Sequence, residues 1–270
     1  MILKKMSNKN SQTYIRSIDT LRAFSVLAVI FYHAKLEINN IEIFTGGFLG
    51  VDVFFVISGF LITKIILKEV DQNTFSLKNF YLRRIKRIVP LLTLVIIICI
   101  PISIFLLLPK NLIDFSSSSV FALIFSSNFY FLFSGMNYGE ENGLLKPLLH
   151  TWTLGVEEQF YLFYPIFLVF ILNFFKKYFF FFILLSLFLS LGCAQFLNLK
   201  FPDYNFFFSL SRMWELLAGG LISQIKVKNN LILKFFSNQL FQYILICVLI
   251  LFFLFFSEPL KSSSSLTTLP

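Results

Sequence analysis

Residues 47–63 read GFLGVDVFFVISGFLIT, an apolar run that carries one carboxylate, Asp52, and has small residues near both ends. A helix that crosses the hydrocarbon core needs about 20 mostly apolar residues, so this run and its flanks predict a transmembrane helix. The Ser-Gly pair at 58–59 suits either tight helix packing or the passage of a substrate chain. Packing does not explain Asp52, which needs a cationic partner such as Arg22 or Arg212.

The composition of the whole chain indicates a membrane protein. Of its 270 residues, 57% are hydrophobic and 14% are charged, and the mean hydropathy is +0.80. Soluble domains carry charge on roughly a quarter of their residues, so the low charge of this chain excludes a soluble domain. Its 39 phenylalanines and repeated apolar runs exclude the disordered, collagenous, coiled-coil and disulfide-rich secreted classes. Apolar runs of spanning length occur near 21–37, 48–67, 88–108, 158–175, 178–197, 206–224 and 240–257. The sequence therefore predicts an all-α, polytopic membrane bundle with about seven or eight spanning helices.

One shorter apolar stretch, residues 120–134, is ambiguous. It carries Ser126, Ser127 and Asn128 in its middle. Such a segment can cross the membrane, lie at the interface or re-enter, and the sequence leaves these alternatives open. The later lysines favour, by a small margin, a stretch that does not cross.

The distribution of Lys and Arg predicts the orientation, because cytoplasmic loops are enriched in both. The polar N-terminal tail and the connection 64–87 hold most of the early basic residues, whereas the loop between them holds only Lys35. We therefore expect residues 1–15 to be a retained cytoplasmic tail and residues 16–270 to form the membrane domain. The net charge of +9 serves this topology, so we expect membrane lipids, and no nucleic acid, as partners.

Ionisable residues inside apolar runs are functional candidates, because a charge at the bilayer centre costs at least a few kcal/mol. They are Arg22, His33, Asp52, Glu157, Glu158, Arg212 and Glu215, with His150 just before a run. Arg22 and His33 are separated by about 16 Å along nearly the same face of a helix. Histidine titrates near neutral pH and can take and return a proton. Alternatively, Arg22 snorkels to lipid phosphate and His33 binds a backbone carbonyl.

Two other segments place acids beside possible partners. Glu157 follows His150 by about two helical turns, so it can orient that imidazole or pair with an arginine from another helix. Capping of a helix is an equally good explanation of His150. Arg212 and Glu215 stand three residues apart and can partly neutralise each other, which favours a structural role.

The segment 81–90, YLRRIKRIVP, places Arg83, Arg84 and Arg87 at the cytoplasmic mouth. Basic residues there commonly serve topology and bind anionic lipid. Guanidinium groups also bind phosphates bidentately, so an acyl-CoA or a nucleotide can dock at this mouth. The three cysteines lie in apolar runs as small hydrophobic residues, and we expect no metal site.

Five ordered segments resemble the membrane acyltransferase 3 family, the bacterial group that O-acylates cell-surface polysaccharides. They are Arg22 with ten residues before His33, residues 47–63, the arginine segment that ends at Pro90, residues 152–161 and residues 212–219. The resemblance implies a multi-pass enzyme of the bacterial cytoplasmic (inner) membrane with a cytoplasmic N-terminus. Such an enzyme takes acyl groups, usually acetyl, from cytoplasmic acyl-CoA and passes them to an acceptor at or beyond the outer face.

Family members generally have more spanning helices, and some carry an extracytoplasmic hydrolase-like domain. We therefore expect a family domain that is incomplete at its C-terminus. The resemblance makes His33 the catalytic residue and Arg22 its motif partner. As a hypothesis, Asp52 or Glu157 orients His33, which acts as a base or holds the acyl group itself. Residues expected to contact substrate are Arg83, Arg84, Arg87, His150, Trp152, Arg212 and Glu215.

The acceptor is left open among lipopolysaccharide, peptidoglycan, exopolysaccharide, a small glycoside and a macrolide. Acetyl-CoA is the expected donor, and the expected partners are lipids, acyl-CoA and a glycan. Two rival interpretations remain. One is a transporter or lipid-interacting module that uses the buried charges as a gate. The other is an inactive fragment of the acyltransferase.

Overall fold

The computed structural model describes residues 16–38, 41–134, 145–224 and 238–256. Within these ranges the chain folds into helices joined by loops and turns, with one two-stranded antiparallel hairpin, β1 (Glu37–Ile38) and β2 (Ile41–Glu42). The helices are α1 (Arg16–His33), α2 (Leu49–Asp71), α3 (Leu77–Leu106), α4 (Pro109–Leu123), α5 (Ser127–Phe133), α6 (Thr151–Phe174), α7 (Phe179–Lys200), α8 (Pro202–Phe207), α9 (Ser209–Ile222) and α10 (Gln239–Phe255).

Each of the seven predicted spans overlaps a helix, but the described residues hold four helices long and apolar enough to cross a membrane. They are α2, α3, α6 and the stretch Lys176–Lys200. In that stretch a single turn of 3-10 helix, Lys176–Tyr178, leads directly into α7. Helix α1 carries three charged residues, and α9 and α10 have 14 and 17 residues. The predicted helical membrane bundle agrees with these elements, whereas the count of seven or eight spans is not confirmed.

The ambiguous stretch 120–134 is not one helix. Helix α4 ends at Leu123, Phe125 adopts a left-handed conformation with φ 55°, and α5 has only seven residues. The Nδ2 atom of Asn128 donates to the carbonyl of Phe207 at 3.1 Å and to Oγ of Ser209 at 3.0 Å. Oγ of Ser127 donates to the carbonyl of Thr151 in α6, whereas Oγ of Ser126 donates to the carbonyl of Ile124 within the stretch. Two of the three polar residues therefore bind neighbouring helices.

Helix α2 packs closely against α1 and α9. A Cβ atom added at Gly59 would overlap the carbonyl oxygen of Leu216, and one added at Gly219 would overlap that of Val56. Both glycines are thus needed for the backbones of α2 and α9 to approach this closely. Gly59 serves tight packing, one of the two roles predicted for the Ser-Gly pair.

A buried cation joins α2 to α9. Nη2 of Arg212 lies 2.7 Å from Oδ1 of Asp52, and its Nη1 lies 3.1 Å from Oε1 of Glu215. Arg212 is 1% exposed. Of the two partners predicted for Asp52, Arg212 is therefore the one that binds it. Arg22 lies near Asp19 instead, with 3.8 Å between Nη1 and Oδ1. The Cζ atom of Arg212 lies 5.6–5.7 Å from the ring centroids of Phe55, Trp152 and Phe206.

We expect Gly59→Ala to destabilise the bundle by about 1–3 kcal/mol, because the added methyl group pushes α2 away from α9. Gly192→Ala is the matched control, since a Cβ there meets no atom within 4 Å. The apparent melting temperature of the detergent-solubilised protein should fall for the first variant and not for the second. Equal melting temperatures for both variants would contradict the close crossing.

We expect Arg212→Leu to cost about 3–5 kcal/mol, because it leaves two carboxylates without their shared cation. Converting Asp52 and Glu215 to the amides Asn and Gln in the same chain should recover much of the loss, since amides do not repel each other. Thermal unfolding of the single and triple variants measures both effects. A triple variant no more stable than Arg212→Leu would show that charge repulsion is not the cause.

Candidate active site

Two cavities lie along the same three helices, α1, α2 and α6. We call the first, of about 440 Å³, the arginine chamber; its defining residues are Arg22, Arg83, Arg84, Arg87, Glu157 and Tyr161. We call the second, of about 620 Å³, the histidine chamber; its defining residues are Ser25, His33, Gly50, Lys146, His150 and Trp152. The residues predicted to form a site are therefore divided between two spaces.

The arginine chamber is positively charged. Four guanidinium groups line it, against the carboxylates of Asp19 and Glu157. The Cζ atom of Arg84 lies 4.7 Å from the ring centroid of Tyr161. Arg83 donates two hydrogen bonds from Nη2 to the carboxylate of Glu69, at 2.8 and 3.0 Å. An anion that enters this chamber therefore meets several groups that favour it.

The start of α3 places these arginines. The helix begins after Ser76, whose Oγ accepts the backbone N–H of Asn79 at 3.5 Å, the position expected of an N-cap. Arg83 and Arg87 are four residues apart and therefore share a face of α3. Both line the chamber with Arg84, so one helical turn supplies three of its four cations.

Glu157 and Tyr161 form a pair within the arginine chamber. They are one turn apart on α6, and the Tyr161 hydroxyl donates to Oε1 of Glu157. Ser58 of α2 lines the same chamber. Glu157 thus lies in the chamber that His33 does not line, and its hydrogen bond is to Tyr161 rather than to that imidazole.

The histidine chamber contains both histidines of the chain. The Nδ1–H of His33 donates to the carbonyl oxygen of Val29 at 2.8 Å. A bond from His33 to a backbone carbonyl is one of the two alternatives that the sequence leaves open. A carbonyl can only accept, so in the neutral ring the lone pair is on Nε2. This tautomer allows Nε2 to act as a base or a nucleophile.

His150 lies just before α6 and lines the same chamber. Burial lowers the pKa of His150 and the nearby His33 lowers it further, while a hydrogen bond to the backbone of Pro147 opposes both effects. A lowered pKa favours the neutral imidazole at physiological pH. The chamber therefore presents two imidazoles, of which His150 resists protonation.

Three predicted site residues line neither chamber. Asp52, Arg212 and Glu215 form the ion-paired network between α2 and α9, and Arg212 and Glu215 are each 1% exposed. Trp152 is shared, because it lines the histidine chamber and also packs against the Arg212 guanidinium. We therefore give these three charged residues a positioning role.

Sequence reasoning missed several lining residues, among them Phe54, Lys146 and Tyr161. Tyr161 follows Glu157 by four residues, and this spacing could have identified the pair. No comparable signal marks Phe54 among the many phenylalanines of the chain. The described part of the chain contains no group of three or more His, Cys, Asp or Glu side chains that could hold a metal ion.

Comparison with known proteins identifies the family. The model of the acyltransferase domain family Acyl_transf_3 matches residues 15–268. A Staphylococcus aureus protein named "Putative O-acetyltransferase SACOL0978" is 34% identical over 266 residues, which are 94% of this chain and 43% of that protein. The peptidoglycan O-acetyltransferase OatA of Listeria monocytogenes is 34% identical over 235 residues, 84% of this chain and 36% of that one. The O-acetyltransferase OatA of Staphylococcus aureus is 35% identical over 175 residues, 64% of this chain and 28% of that one.

The chain spans less than half the length of these relatives. No solved structure matches it. The family model nevertheless covers every helix that lines the two chambers, from the first residue of α1 onward. Together with the resemblance seen in five ordered segments of the sequence, this match shows that the chain belongs to the acyltransferase 3 family.

Proposed function

We propose that this chain transfers an acyl group, in the first instance acetyl, from cytoplasmic acyl-CoA to a hydroxyl of a glycan outside the membrane. The observation that carries the proposal is the placement of a cationic chamber and a histidine chamber along the same three helices. The phosphates of the donor favour a chamber with several cations, whereas the neutral hydroxyl of the acceptor needs a base such as histidine. Family membership supports the reaction class.

The arginine chamber is the donor side of this proposal. Coenzyme A carries phosphates at one end and the thioester at the other, and arginine forks bind phosphates in two-pronged geometry. Arg84 and Arg87 are placed for this contact, while Arg83 is already paired with Glu69. The excess of Lys and Arg in the tail and in residues 64–87 supports a cytoplasmic location for this chamber.

His33 carries the chemistry in the proposal. Its Nε2 removes the proton of the acceptor hydroxyl, whose oxygen attacks the thioester carbonyl. The new C–O bond forms, the C–S bond breaks, and the imidazolium returns its proton to the coenzyme A thiolate. In the alternative order, Nε2 first attacks the thioester carbonyl, the C–S bond breaks, and coenzyme A leaves as the thiolate. The acceptor hydroxyl then attacks the acyl carbon, the bond from that carbon to Nε2 breaks, and the hydroxyl proton ends on the thiolate. Both orders begin from the neutral ring whose Nδ1–H is bound to Val29.

A sugar hydroxyl is the acceptor in this proposal. The name of the Listeria relative includes peptidoglycan, which favours a cell-wall glycan over lipopolysaccharide. The histidine chamber offers His150 and Lys146 beside His33 to position such an acceptor. Peptidoglycan is therefore the first acceptor to test, with other surface glycans next.

We expect His33→Ala to reduce transfer of label from radiolabelled acetyl-CoA by at least about a hundredfold, as for loss of a general base or nucleophile. The assay uses membranes from cells that express the chain and measures ester-linked label on cell-wall glycan. Lys35→Ala, two residues further on and outside both chambers, is the matched control and should retain transfer. Label that persists in His33→Ala would remove His33 from the mechanism.

We expect Arg84→Gln to raise the KM for acetyl-CoA by about tenfold, because one charged hydrogen-bonding contact to phosphate is worth more than 1 kcal/mol. The KM for acetyl-pantetheine, which lacks the nucleotide phosphates, should not change. Lys86→Gln is the matched control, since Lys86 stands beside Arg87 in sequence and does not line the chamber. Equal effects of Arg84→Gln on both donors would contradict phosphate docking.

A further inference from the structure

Among the residues that the structure describes, Phe54 alone lines both chambers. It stands on α2, one turn after Gly50 of the histidine chamber and one turn before Ser58 of the arginine chamber. Residues four apart on a helix share a face. The face of α2 that begins in one chamber and ends in the other therefore passes through Phe54.

On the other two helices, residues that line one chamber and residues that line the other are likewise close together in sequence. On α1, Arg22 lines the arginine chamber and Ser25 lines the histidine chamber; on α6, Thr153 lines the histidine chamber and Leu154 the arginine chamber. The boundary between the chambers thus crosses α1, α2 and α6, and the phenyl ring of Phe54 is the side chain that belongs to both sides of it.

Two contacts hold this boundary. The Cζ atom of Arg22 lies 5.7 Å from the ring centroid of Phe54, a distance at which a guanidinium is attracted to an aromatic face. On the histidine side, a Cβ added at Gly50 would meet the carbonyl oxygen of Ser25 at 2.5 Å, so α1 and α2 approach closely there. The ring therefore lies beside a cation, near the close approach of α1 and α2.

An acyl group cannot avoid this boundary in the proposed reaction. The arginines that would bind the donor phosphates line one chamber, and His33 lines the other, about 16 Å along α1 from Arg22. The thioester has to pass from the arginine chamber to Nε2 of His33. A phenyl ring at the boundary leaves room for small acyl groups more readily than for long ones.

We propose that Phe54 is the partition between the two chambers and determines which acyl groups reach His33. The size-selecting role rests on the proposed acyl transfer, whereas the partition itself does not. Movement of the Phe54 ring opens the passage for a short acyl group. Replacement by alanine leaves the passage open.

The partition is tested without catalysis by cysteine labelling. All variants are made in a chain whose three cysteines are replaced by alanine. Ser58→Cys reports on the arginine chamber, and Val29→Cys reports on the histidine chamber. A negatively charged, membrane-impermeant methanethiosulfonate is added to sealed vesicles on the side from which Ser58→Cys is labelled.

From that side, Val29→Cys should be labelled slowly when Phe54 is present and several-fold faster in the Phe54→Ala background. Phe60→Ala is the matched control, a phenylalanine of the same helix that lines neither chamber, and it should not change the rate. An unchanged labelling rate in Phe54→Ala overturns the proposal, whatever the transfer assay shows.

Size selection is tested by the ratio of butyryl to acetyl transfer from the two acyl-CoA donors. We expect Phe54→Ala to raise this ratio by about tenfold, the discrimination that one or two methylene groups allow, and Phe60→Ala to leave it unchanged. An unchanged ratio with intact acetyl transfer overturns the selecting role and leaves the proposed function standing. Faster labelling in a chain that transfers neither group supports the partition and contradicts the proposed function.

Discussion

The close packing of α2 against α1 and α9 is the constraint on which the rest of the structure depends. Gly59 and Gly219 let α2 and α9 approach until the backbone of one helix contacts the other, and Gly50 does the same between α2 and α1. In lipid, no hydrophobic effect drives helices together, so packing of this kind supplies much of the stability. It also places Phe54 at the boundary of the two chambers.

The shared cation at Arg212 follows from the same packing. An arginine beside Asp52 and Glu215 in an apolar interior is stable only if all three charges lie together, because each alone would be costly to desolvate. Trp152 packs against this guanidinium and also lines the histidine chamber. The network therefore supports one wall of the chamber without lining it. A catalytic role for Asp52 stays a prediction, while its ion pair with Arg212 supports a positioning role.

Separate chambers make the proposed chemistry physically reasonable. A site for phosphates needs several cations, whereas a base or nucleophile such as His33 works best as a neutral imidazole. Lys146 lines the histidine chamber with His33. The arginines that would bind phosphate line the other chamber, so their charges do not add to that of Lys146 in disfavouring the protonation of His33 during the reaction. The structure achieves the separation with three helices and one aromatic side chain.

The sequence by itself determined the class of fold, the approximate places of the long apolar helices and the family, because hydrophobic runs and local motifs depend only on residues near each other in the chain. It also predicted the pairing of Arg212 with Glu215, which follows from helical spacing. Helical spacing likewise puts Arg22 and His33 on nearly the same face of α1, but the two residues line different chambers. Only the tertiary structure decided that Asp52 pairs with Arg212, that Asn128 binds residues before and within α9, and that Glu157 and His33 belong to different chambers. These facts depend on how helices distant in sequence cross, and no local pattern contains that information.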